Sequence, residues 1–405
     1  MTHSYFFALA TLATMSLLVR WRLEFVYHQR RLNQKKYRIH VNGIRGKSTV
    51  TRLLAAILRA SNCYTIAKTT GSAACVIGTD GADRPIHRYG SPTILEQIEI
   101  IRSIPDAVDG LVMECMAIKP EYQKICERMI VQSNIGVITN VREDHQDILG
   151  ESLEEIAFNL LSTCPENGIL ITAEKNPDLL AIFENVTNRK NSRLIVANED
   201  RVSDQEVSQF HYVAFKENIA IGLELARLIG VDRTTAMTAM QQAAPDPGVF
   251  EVVPIQYGQR NLIWADMFAV NDRQSVIMGM NRLKTLVDTD AIKIGILNNR
   301  NDREDRALRF AQLVSLDVRF DYIALMGAYE NRVERELLEN GFPAEKIIRL
   351  GSHRNIPDSD LIPQLAAAAG DQNNIALIGL VNIHTHQAEV IREFVNRAKQ
   401  NRGAK

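Results

Sequence analysis

The stretch His40-Val41-Asn42-Gly43-Ile44-Arg45-Gly46-Lys47-Ser48-Thr49 decides how the first half of this 405-residue chain is predicted to fold. It stands between a predicted strand over residues 38–42 and a predicted helix over residues 49–60. Glycines let a backbone loop wrap an anion, and the N-terminus of the following helix offers free N–H donors. The residues from Asn42 to Thr49 therefore predict a phosphate-binding loop for a nucleotide.

Lys47 and the hydroxyls after it carry the chemistry of this loop. We expect Lys47 to reach the β- and γ-phosphates, and the hydroxyl of Ser48 or Thr49 to bind Mg²⁺. Val41 stands where the full motif has its first glycine, so the alternative is a glycine turn with an exposed lysine. The position between a strand and a helix favours nucleotide binding.

Two later segments place acidic and imidazole groups at predicted strand ends. Glu114 ends the apolar run 110–114, and a carboxylate at the carboxyl end of a buried strand suits Mg²⁺. Asp144, His145 and Asp147 follow another apolar run within one turn. The alternatives are a solvated charge for Glu114 and a structural histidine for His145, but the clustering favours a site.

Apolar runs alternate with helical periodicity along the rest of the chain, which predicts an α/β protein with parallel, doubly wound sheets. The breaker-rich stretch Ala243–Gly248 is predicted to separate two domains. The expected organisation is an N-terminal segment 1–36, a central P-loop domain 37–245 and a smaller Rossmann-like C-terminal domain 246–405. Beyond the first strand, strands are predicted at 110–115, 135–141, 168–172, 193–197, 262–265, 292–297, 322–326, 347–350 and 375–380.

Composition argues against two classes of protein. Lys and Arg total 47 while Asp and Glu total 48, and this balance argues against a nucleic-acid binder, which carries a basic surplus. The five cysteines include no C-x-x-C pair, which argues against a disulfide framework or a zinc ribbon. We therefore expect a reduced protein body that has no nucleic-acid partner.

The N-terminus departs from an ordinary soluble chain. Tyr5–Val19 holds no charged residue, and it approaches the roughly 20 residues of a bilayer span when Trp21 and Leu23 are added. Basic residues follow at positions 20, 22, 30, 31, 35, 36 and 38. The positive-inside rule then predicts a single-pass anchor in the cell (inner) membrane, with the body of the protein in the cytoplasm. The alternative is an apolar helix docked on a soluble body.

These motifs together resemble the Mur ligase superfamily of ATP-dependent amide-bond ligases. Residues 43–49 are similar to the family's phosphate loop, Glu114 to the glutamate that binds its first Mg²⁺, and the segment around His145 to the one whose histidine binds a second metal. The resemblance implies that Lys47, Glu114 and His145 are catalytic. It also implies that Ser48, Glu114 and His145 are metal ligands.

The resemblance extends beyond the phosphate loop and its metal ligands. Further nucleotide contacts are implied at Asn218, near the adenine, and at Asp302 and Arg303. Substrate contacts are implied at Thr70, Gly71, Ser72, Ser91, Asp266 and Asn271. Within the superfamily, residues 40–53 and 68–74 look most like the ligase subunits of poly-γ-glutamate capsule synthesis.

The resemblance implies a Mur-ligase-type fold with ATP and Mg²⁺ as cofactors. In the implied reaction, a glutamate carboxylate is activated as an acyl phosphate and joined to another glutamate, which makes poly-γ-glutamate. Multi-span membrane subunits of a capsule synthesis and export complex are the implied partners, and homo-oligomerisation stays open. Two alternatives are a nucleotide-gated membrane assembly factor without ligase activity and a folylpolyglutamate-type ligase.

Overall fold

The chain forms two compact units in a computed structural model. The structure describes residues 2–70, 74–88, 90, 92–210, 212–246, 250–270, 273–284, 286–287, 290–351, 356–382 and 385–403. The first unit comprises the chain up to Gln209 together with Phe215–Ala244, and the second comprises Phe210–Ala214 and the chain from Pro245 onward. The domain limits 1–36, 37–245 and 246–405 stay predictions.

The first unit is built on a mixed sheet whose central strands are parallel. Its described strands are β1 (Tyr37–Asn42), β2 (Thr65–Thr69), β3 (Cys75–Ile77), β4 (Asp83–Pro85), β5 (Gly110–Glu114), β6 (Ile135–Ile138), β7 (Ile169–Thr172) and β8 (Arg193–Val196). They are arranged as β4-β3-β2-β5-β1-β6-β7-β8. Because β3 pairs antiparallel with both β2 and β4, the prediction of parallel sheets does not hold at this edge. Short hairpin connections there replace the long crossovers that parallel pairing needs.

The central strands place the ends of β1 and β5 side by side. In the parallel register, Val41 lies opposite Glu114 and Asn42 lies opposite Ile138. Every residue of β5 and β6 is buried, as expected for strands covered by helices on both faces. Glu114 therefore ends a central buried strand, next to the strand that leads into the glycine loop.

Helices of the first unit flank this sheet. They are α1 (Thr2–Asn33), α2 (Lys47–Ala60), α3 (Leu95–Ser103), α4 (Pro120–Ile125), α5 (Gln146–Leu149), α6 (Leu153–Leu160), α7 (Pro177–Arg189), α8 (Asp204–Ser208), α9 (Lys216–Ile229) and α10 (Arg233–Gln242). A π-helical segment, Cys126–Val131, continues α4. The predicted helix after the glycine loop begins two residues earlier than expected, at Lys47, which makes Lys47 part of its first turn.

The second unit has a separate mixed sheet. Its described strands are β9 (Glu251–Tyr257), β10 (Arg260–Asp266), β11 (Ile292–Asn299), β12 (Tyr322–Gly327), β13 (Ile347–Gly351) and β14 (Asn374–Leu380), arranged as β13-β12-β11-β14-β10-β9. Its described helices are α11 (Arg273–Leu283), α12 (Glu304–Leu316), α13 (Glu330–Glu339), α14 (Leu361–Ala367) and α15 (His386–Gly403). Only β9 runs antiparallel among the described strands of this sheet, and it was not predicted. Pro254 lies within it, which is tolerated because β9 is an edge strand.

Helix α1 combines an exposed apolar segment with a docked end. Tyr5, Trp21 and Leu23 are 71%, 71% and 64% exposed, whereas Leu32 is fully buried. Arg31 donates from Nε to the carbonyl oxygen of Ile101, and its Nη1 forms an ion pair with Asp106 at 3.0 Å. Among the described residues, the helix contacts the first unit through its last turns, and its exposed apolar segment is not part of the core.

A buried ion pair supports the strand that leads into the glycine loop. His40 on β1 is fully buried, and its Nδ1 lies 2.8 Å from Oε2 of Glu127 on the π-helical segment. Glu127 also accepts hydrogen bonds from the backbone N–H and the hydroxyl of Ser133. Burial disfavours charge on the imidazole, but Cys115 and Glu127 outweigh it and raise the pKa of His40 to about 10.

We predict that Glu127→Gln lowers the free energy of unfolding by about 1–3 kcal/mol near pH 7, because it removes the charge that compensates a buried imidazolium. Since folding raises the pKa of His40 from 6.5 to about 10, this stabilisation is complete below pH 6.5 and is lost as the pH rises through 10. Urea unfolding of both proteins across this pH range measures the difference. Glu166→Gln is the control, because the ion pair of Glu166 with Arg128 is exposed.

Candidate active site

Two glycines give the loop between β1 and α2 its shape. Gly43 and Gly46 have φ angles of +124° and +80°, which side chains disfavour. A Cβ on Gly43 would lie 2.1 Å from Oγ1 of Thr139, and one on Gly46 would lie 2.6 Å from Oδ1 of Asn218. The loop is therefore packed against the segment that follows β6 and against the first turn of α9. Larger residues do not fit at either glycine.

Lys47 closes over the loop that precedes it. Its Nζ donates to the carbonyl oxygens of Gly43 at 2.8 Å and Ile44 at 3.2 Å. Removal from water lowers the pKa of Lys47 below its ordinary value, although the charge of Glu114 opposes this shift. The ammonium group is thus held by carbonyls at the loop, where an arriving phosphate can replace them.

Glu114 joins the loops that follow β1 and β2. Its side chain is buried, and its Oε2 accepts hydrogen bonds from the hydroxyl of Ser48 at 2.8 Å and from the backbone N–H of Thr70 at 2.7 Å. Gln97 on α3 donates to its backbone carbonyl at 3.1 Å. The alternative of a solvated loop charge is therefore wrong for Glu114.

The segment after β6 forms the opposite wall of the loop. The side chain of Asn140 accepts a hydrogen bond from the backbone N–H of Arg45 at 3.0 Å and donates to its carbonyl oxygen at 3.1 Å. The hydroxyl of Thr139 donates to the same carbonyl at 2.6 Å. The Arg45 guanidinium pairs with Asp144 at 2.8 Å. These contacts hold the loop against the segment that follows β6.

His145 lies beside this wall in a strained backbone position. Its φ is +50°, and its backbone N–H donates to Oδ1 of Asp144 at 2.9 Å. Desolvation lowers the pKa of His145, and Lys47 and Arg45 add to this effect while Asp144 opposes it. The ring is therefore neutral at neutral pH, which is the form that binds metals.

One cavity of about 230 Å³ brings these predicted residues together. Its walls include Gly43, Ile44, Arg45, Lys47, Thr70, Glu114, Asp144 and His145. Asn42 also reaches the cavity, but its Nδ2 donates to Oε1 of Gln123 at 2.8 Å and to Oγ1 of Thr163 at 3.2 Å. Ser48 and Thr49 stand in the first turn of α2, immediately after Lys47.

Asn218 approaches the loop from the start of α9. Its side chain is 3% exposed, and Oδ1 has no hydrogen-bond partner among the described residues. A buried oxygen without a partner is costly, and a ligand that donates a hydrogen bond would satisfy it. The adenine contact that the resemblance implies for Asn218 stays a prediction.

Sequence reasoning missed the ion pair next to Asn218. Glu217 accepts from Arg142 at 2.9 Å, and both side chains are largely buried. Burial raises the pKa of Glu217, while Arg142 opposes the shift. In the sequence, Arg142 lies close to Asn140 and Glu217 lies next to Asn218, but no pattern there indicates that the two charges pair.

The remaining predicted residues fall in the second unit or outside the described residues. Asp266 ends β10 and accepts from Nε of Arg392 at 2.9 Å. Asp302 is exposed and takes a two-point contact from Arg300, and Arg303 lies 3.8 Å from it. Gly71, Ser72, Ser91 and Asn271 lie outside the described residues.

Comparison with known proteins identifies the family. The Mur ligase middle domain matches residues 41–233, and the poly-gamma-glutamate synthase CapB C-terminal domain matches residues 252–397. The PGA synthase CapB of Bacillus subtilis (strain 168) is 33% identical over 394 residues, which cover 96% of this chain and 98% of the relative. The chain belongs to the CapB family. The capsule biosynthesis protein CapB of Bacillus anthracis is 35% identical over 320 residues, covering 78% of this chain and 68% of that protein.

Solved structures show the same fold at low sequence identity. E. coli FolC in complex with DHPP and ADP has a TM-score of 0.64 at 16% identity, with 93% of each chain covered. MurF from Acinetobacter baumannii has a TM-score of 0.65 at 14% identity, covering 91% of this chain and 79% of MurF. The predicted Mur-ligase-type fold is confirmed. As a CapB family member with a Mur ligase domain, the chain is an ATP-dependent amide ligase.

We predict that Gly46→Ala weakens ATP binding at least tenfold, because the new Cβ would displace Asn218 and the loop. Gly230→Ala is the matched control. Gly230 also has a positive φ, +78°, but a Cβ added there would meet open space, with no contact inside 4 Å among the described residues beyond its chain neighbours. Gly230→Ala therefore tests only the cost of placing a side chain on a left-handed backbone conformation, which is about 1–2 kcal/mol. Calorimetric titration with ATP measures both, and equal losses of affinity would contradict the packing argument.

Proposed function

We propose that this CapB family member uses ATP to join a glutamate carboxylate to the amine of another glutamate, and so makes poly-γ-glutamate for a capsule. Its relatives named PGA synthase and capsule biosynthesis protein support the product, and the CapB family match of the second unit supports it over a folylpolyglutamate. The observation that carries the proposal is the single cavity in which Lys47, Glu114 and His145 meet.

The proposed reaction has two steps. A carboxylate oxygen of the donor glutamate attacks the γ-phosphorus of ATP, and ADP leaves with the electrons of the broken P–O bond. The amine of the second glutamate then attacks the acyl carbon, loses a proton, and expels phosphate to leave an amide. The first step depends mainly on positioning and on neutralisation of negative charge, which are the roles we assign to Lys47 and the N–H groups of the loop.

The donor set next to Lys47 fits Mg²⁺. The hydroxyl of Ser48 and the carboxylate of Glu114 are oxygen donors 2.8 Å apart, and His145 lines the same cavity as Glu114. Among the described residues, no cluster of three or more His, Cys, Asp or Glu side chains is found that could hold a metal ion by itself. When bound there, Mg²⁺ would neutralise charge on the β- and γ-phosphates.

We also propose that α1 anchors this ligase to the cell membrane, where multi-span subunits export the polymer from the cytoplasmic side. By length and composition, Tyr5–Asn33 could cross a membrane, and its large apolar residues from Tyr5 to Leu23 are exposed. Some of the basic residues that follow bind the protein and not the membrane surface. Lys35, for example, donates a hydrogen bond to the carbonyl oxygen of Val108 at 2.6 Å. One helix forms no conduit for a polyanion, and this is why a partner is needed.

Glutamate-dependent release of ADP, with mass spectrometry of the products, tests the proposed reaction. We predict that Glu114→Gln lowers turnover at least tenfold and that raised Mg²⁺ partly restores it, because the amide lacks the charge that a hard cation favours. Glu121→Gln, at an exposed position of α4, is the control. ADP release that is indifferent to glutamate would instead favour a nucleotide-gated assembly factor, and an unchanged Mg²⁺ requirement would remove Glu114 from the metal site.

The anchor is tested by a deletion that spares the docked end of α1. We predict that removal of residues 2–23 releases the protein from membranes and preserves ATP hydrolysis, but stops delivery of polymer to the cell surface. Removal of residues 2–36 should also destabilise the body, because it takes away the contacts of His28, Arg31 and Lys35 with backbone carbonyls. Cell fractionation measures the release from membranes, and surface-polymer staining measures the delivery of polymer. Normal surface polymer from the shorter deletion would contradict the anchor.

A further inference from the structure

The side chain of Lys68 on β2 is fully buried beside the cavity. Its Nζ lies 2.9 Å from Oε1 of Glu96 and 3.7 Å from Sδ of Met116, which lines the cavity. A buried ammonium group is costly, so such lysines persist where a nearby anion compensates them. In this case the anion is shared with a second cation.

Arg88 makes a two-point contact with the same carboxylate. Its Nε and Nη2 donate to the two oxygens of Glu96 at 2.6 Å and 2.9 Å. Despite burial, Arg88 and Lys68 hold the pKa of Glu96 below its ordinary value, so this group is ionised at neutral pH. Two cations and one anion leave this Lys68–Glu96–Arg88 cluster with a net charge of about +1.

The cluster is tied to the catalytic carboxylate by short chain connections. Lys68 is two residues before Thr70, whose N–H binds Oε2 of Glu114. Glu96 precedes Gln97, which donates to the carbonyl oxygen of Glu114. The excess positive charge is therefore held close to the place where the acyl phosphate would form.

We propose that the Lys68–Glu96–Arg88 cluster is a subsite for a substrate carboxylate that does not react, on the incoming glutamate or the growing γ-glutamyl chain. The proposal rests on the proposed ligase function and names a residue that recognises its anionic substrate. Arg88 makes the contact, because its side chain is 23% exposed whereas that of Lys68 is fully buried. Two guanidinium N–H groups point to Glu96, and the planar fork has three more for a carboxylate.

The chemistry of the product explains why such a subsite is needed. Each γ-linked glutamate keeps its α-carboxylate, so every added residue brings a negative charge toward the phosphates of ATP. A fixed cation pair offsets that repulsion, and Glu96 holds the guanidinium in one orientation before the substrate arrives. Lys68 raises the local positive charge without itself reaching solvent.

The test compares the full-length wild type with Arg88→Gln, Arg88→Lys and the control Arg84→Gln. Arg84 lies on β4, which precedes Arg88 in the chain, and it forms an exposed ion pair with Asp80. The probes are D-glutamate, L-glutamate and a γ-linked glutamate pentamer, each titrated with saturating ATP and Mg²⁺. ATP and Mg²⁺ are then titrated with the accepted probe at saturation. We expect Arg88→Gln to raise the KM of the accepted probe about tenfold or more, with the KM of ATP changed less than about twofold. Arg88→Lys should restore part of the affinity.

Three outcomes decide the proposal. A KM effect that is larger for the pentamer than for glutamate, and that shrinks as salt screens the charges, supports the subsite. An unchanged KM for every probe, or an equal effect of Arg84→Gln, overturns it. If Arg88→Gln instead raises the KM of ATP or the Mg²⁺ requirement and lowers the unfolding midpoint, the cluster serves only to support Glu114 structurally. That outcome also overturns the proposal. If the wild type makes no glutamate-dependent product, the proposed function itself fails. That result differs from a failure of the subsite, in which the wild type is active and the Arg88 variants keep its KM.

Discussion

The buried carboxylate of Glu114 is the constraint on which the first unit depends. Such a group is stable away from water only if fixed donors replace its hydration. Those donors are the hydroxyl of Ser48 and the N–H of Thr70, and they follow β1 and β2, the strands on either side of β5. The three strands must therefore end in matched register, and this requirement places the glycine loop, the carboxylate and the start of α2 at one edge of the sheet.

The π-helical segment Cys126–Val131 supports this edge from one face of the sheet. Glu127 on this segment holds His40 of β1, two residues before the strand passes into the loop. The carbonyl oxygen of Ile130, on the same segment, lies 2.8 Å from Nε2 of His28 on α1. One segment thus supports both the strand that leads to the nucleotide site and the helix that carries the exposed apolar residues. Such π-helical insertions are frequent at functional sites.

The family comparison separates what the fold requires from what the chemistry requires. FolC and MurF share the fold at 14–16% identity, because buried strands and covering helices accept many apolar sequences. The reaction depends on loops at strand ends, where charge and hydrogen-bond geometry tolerate little change. Lys47 and Glu114 lie at such ends, whereas the Lys68–Glu96–Arg88 cluster joins a strand, a loop and a helix around them.

Features that depend on neighbouring residues were predictable from the amino-acid sequence. The glycine loop, the helix that follows it and the apolar run ending at Glu114 are each encoded within about a dozen residues, so pattern and turn chemistry were enough to predict them. The pairing of charges that lie far apart in the sequence became visible only in the folded structure. Arg31 and Lys35 count as membrane-side charges in the sequence, yet in the fold they bind backbone carbonyls between Ile101 and Val108. Lys68 and Glu96 are 28 residues apart. Electrostatic pairing acts through space, and no local pattern records which charges the packing of strands and helices will bring together.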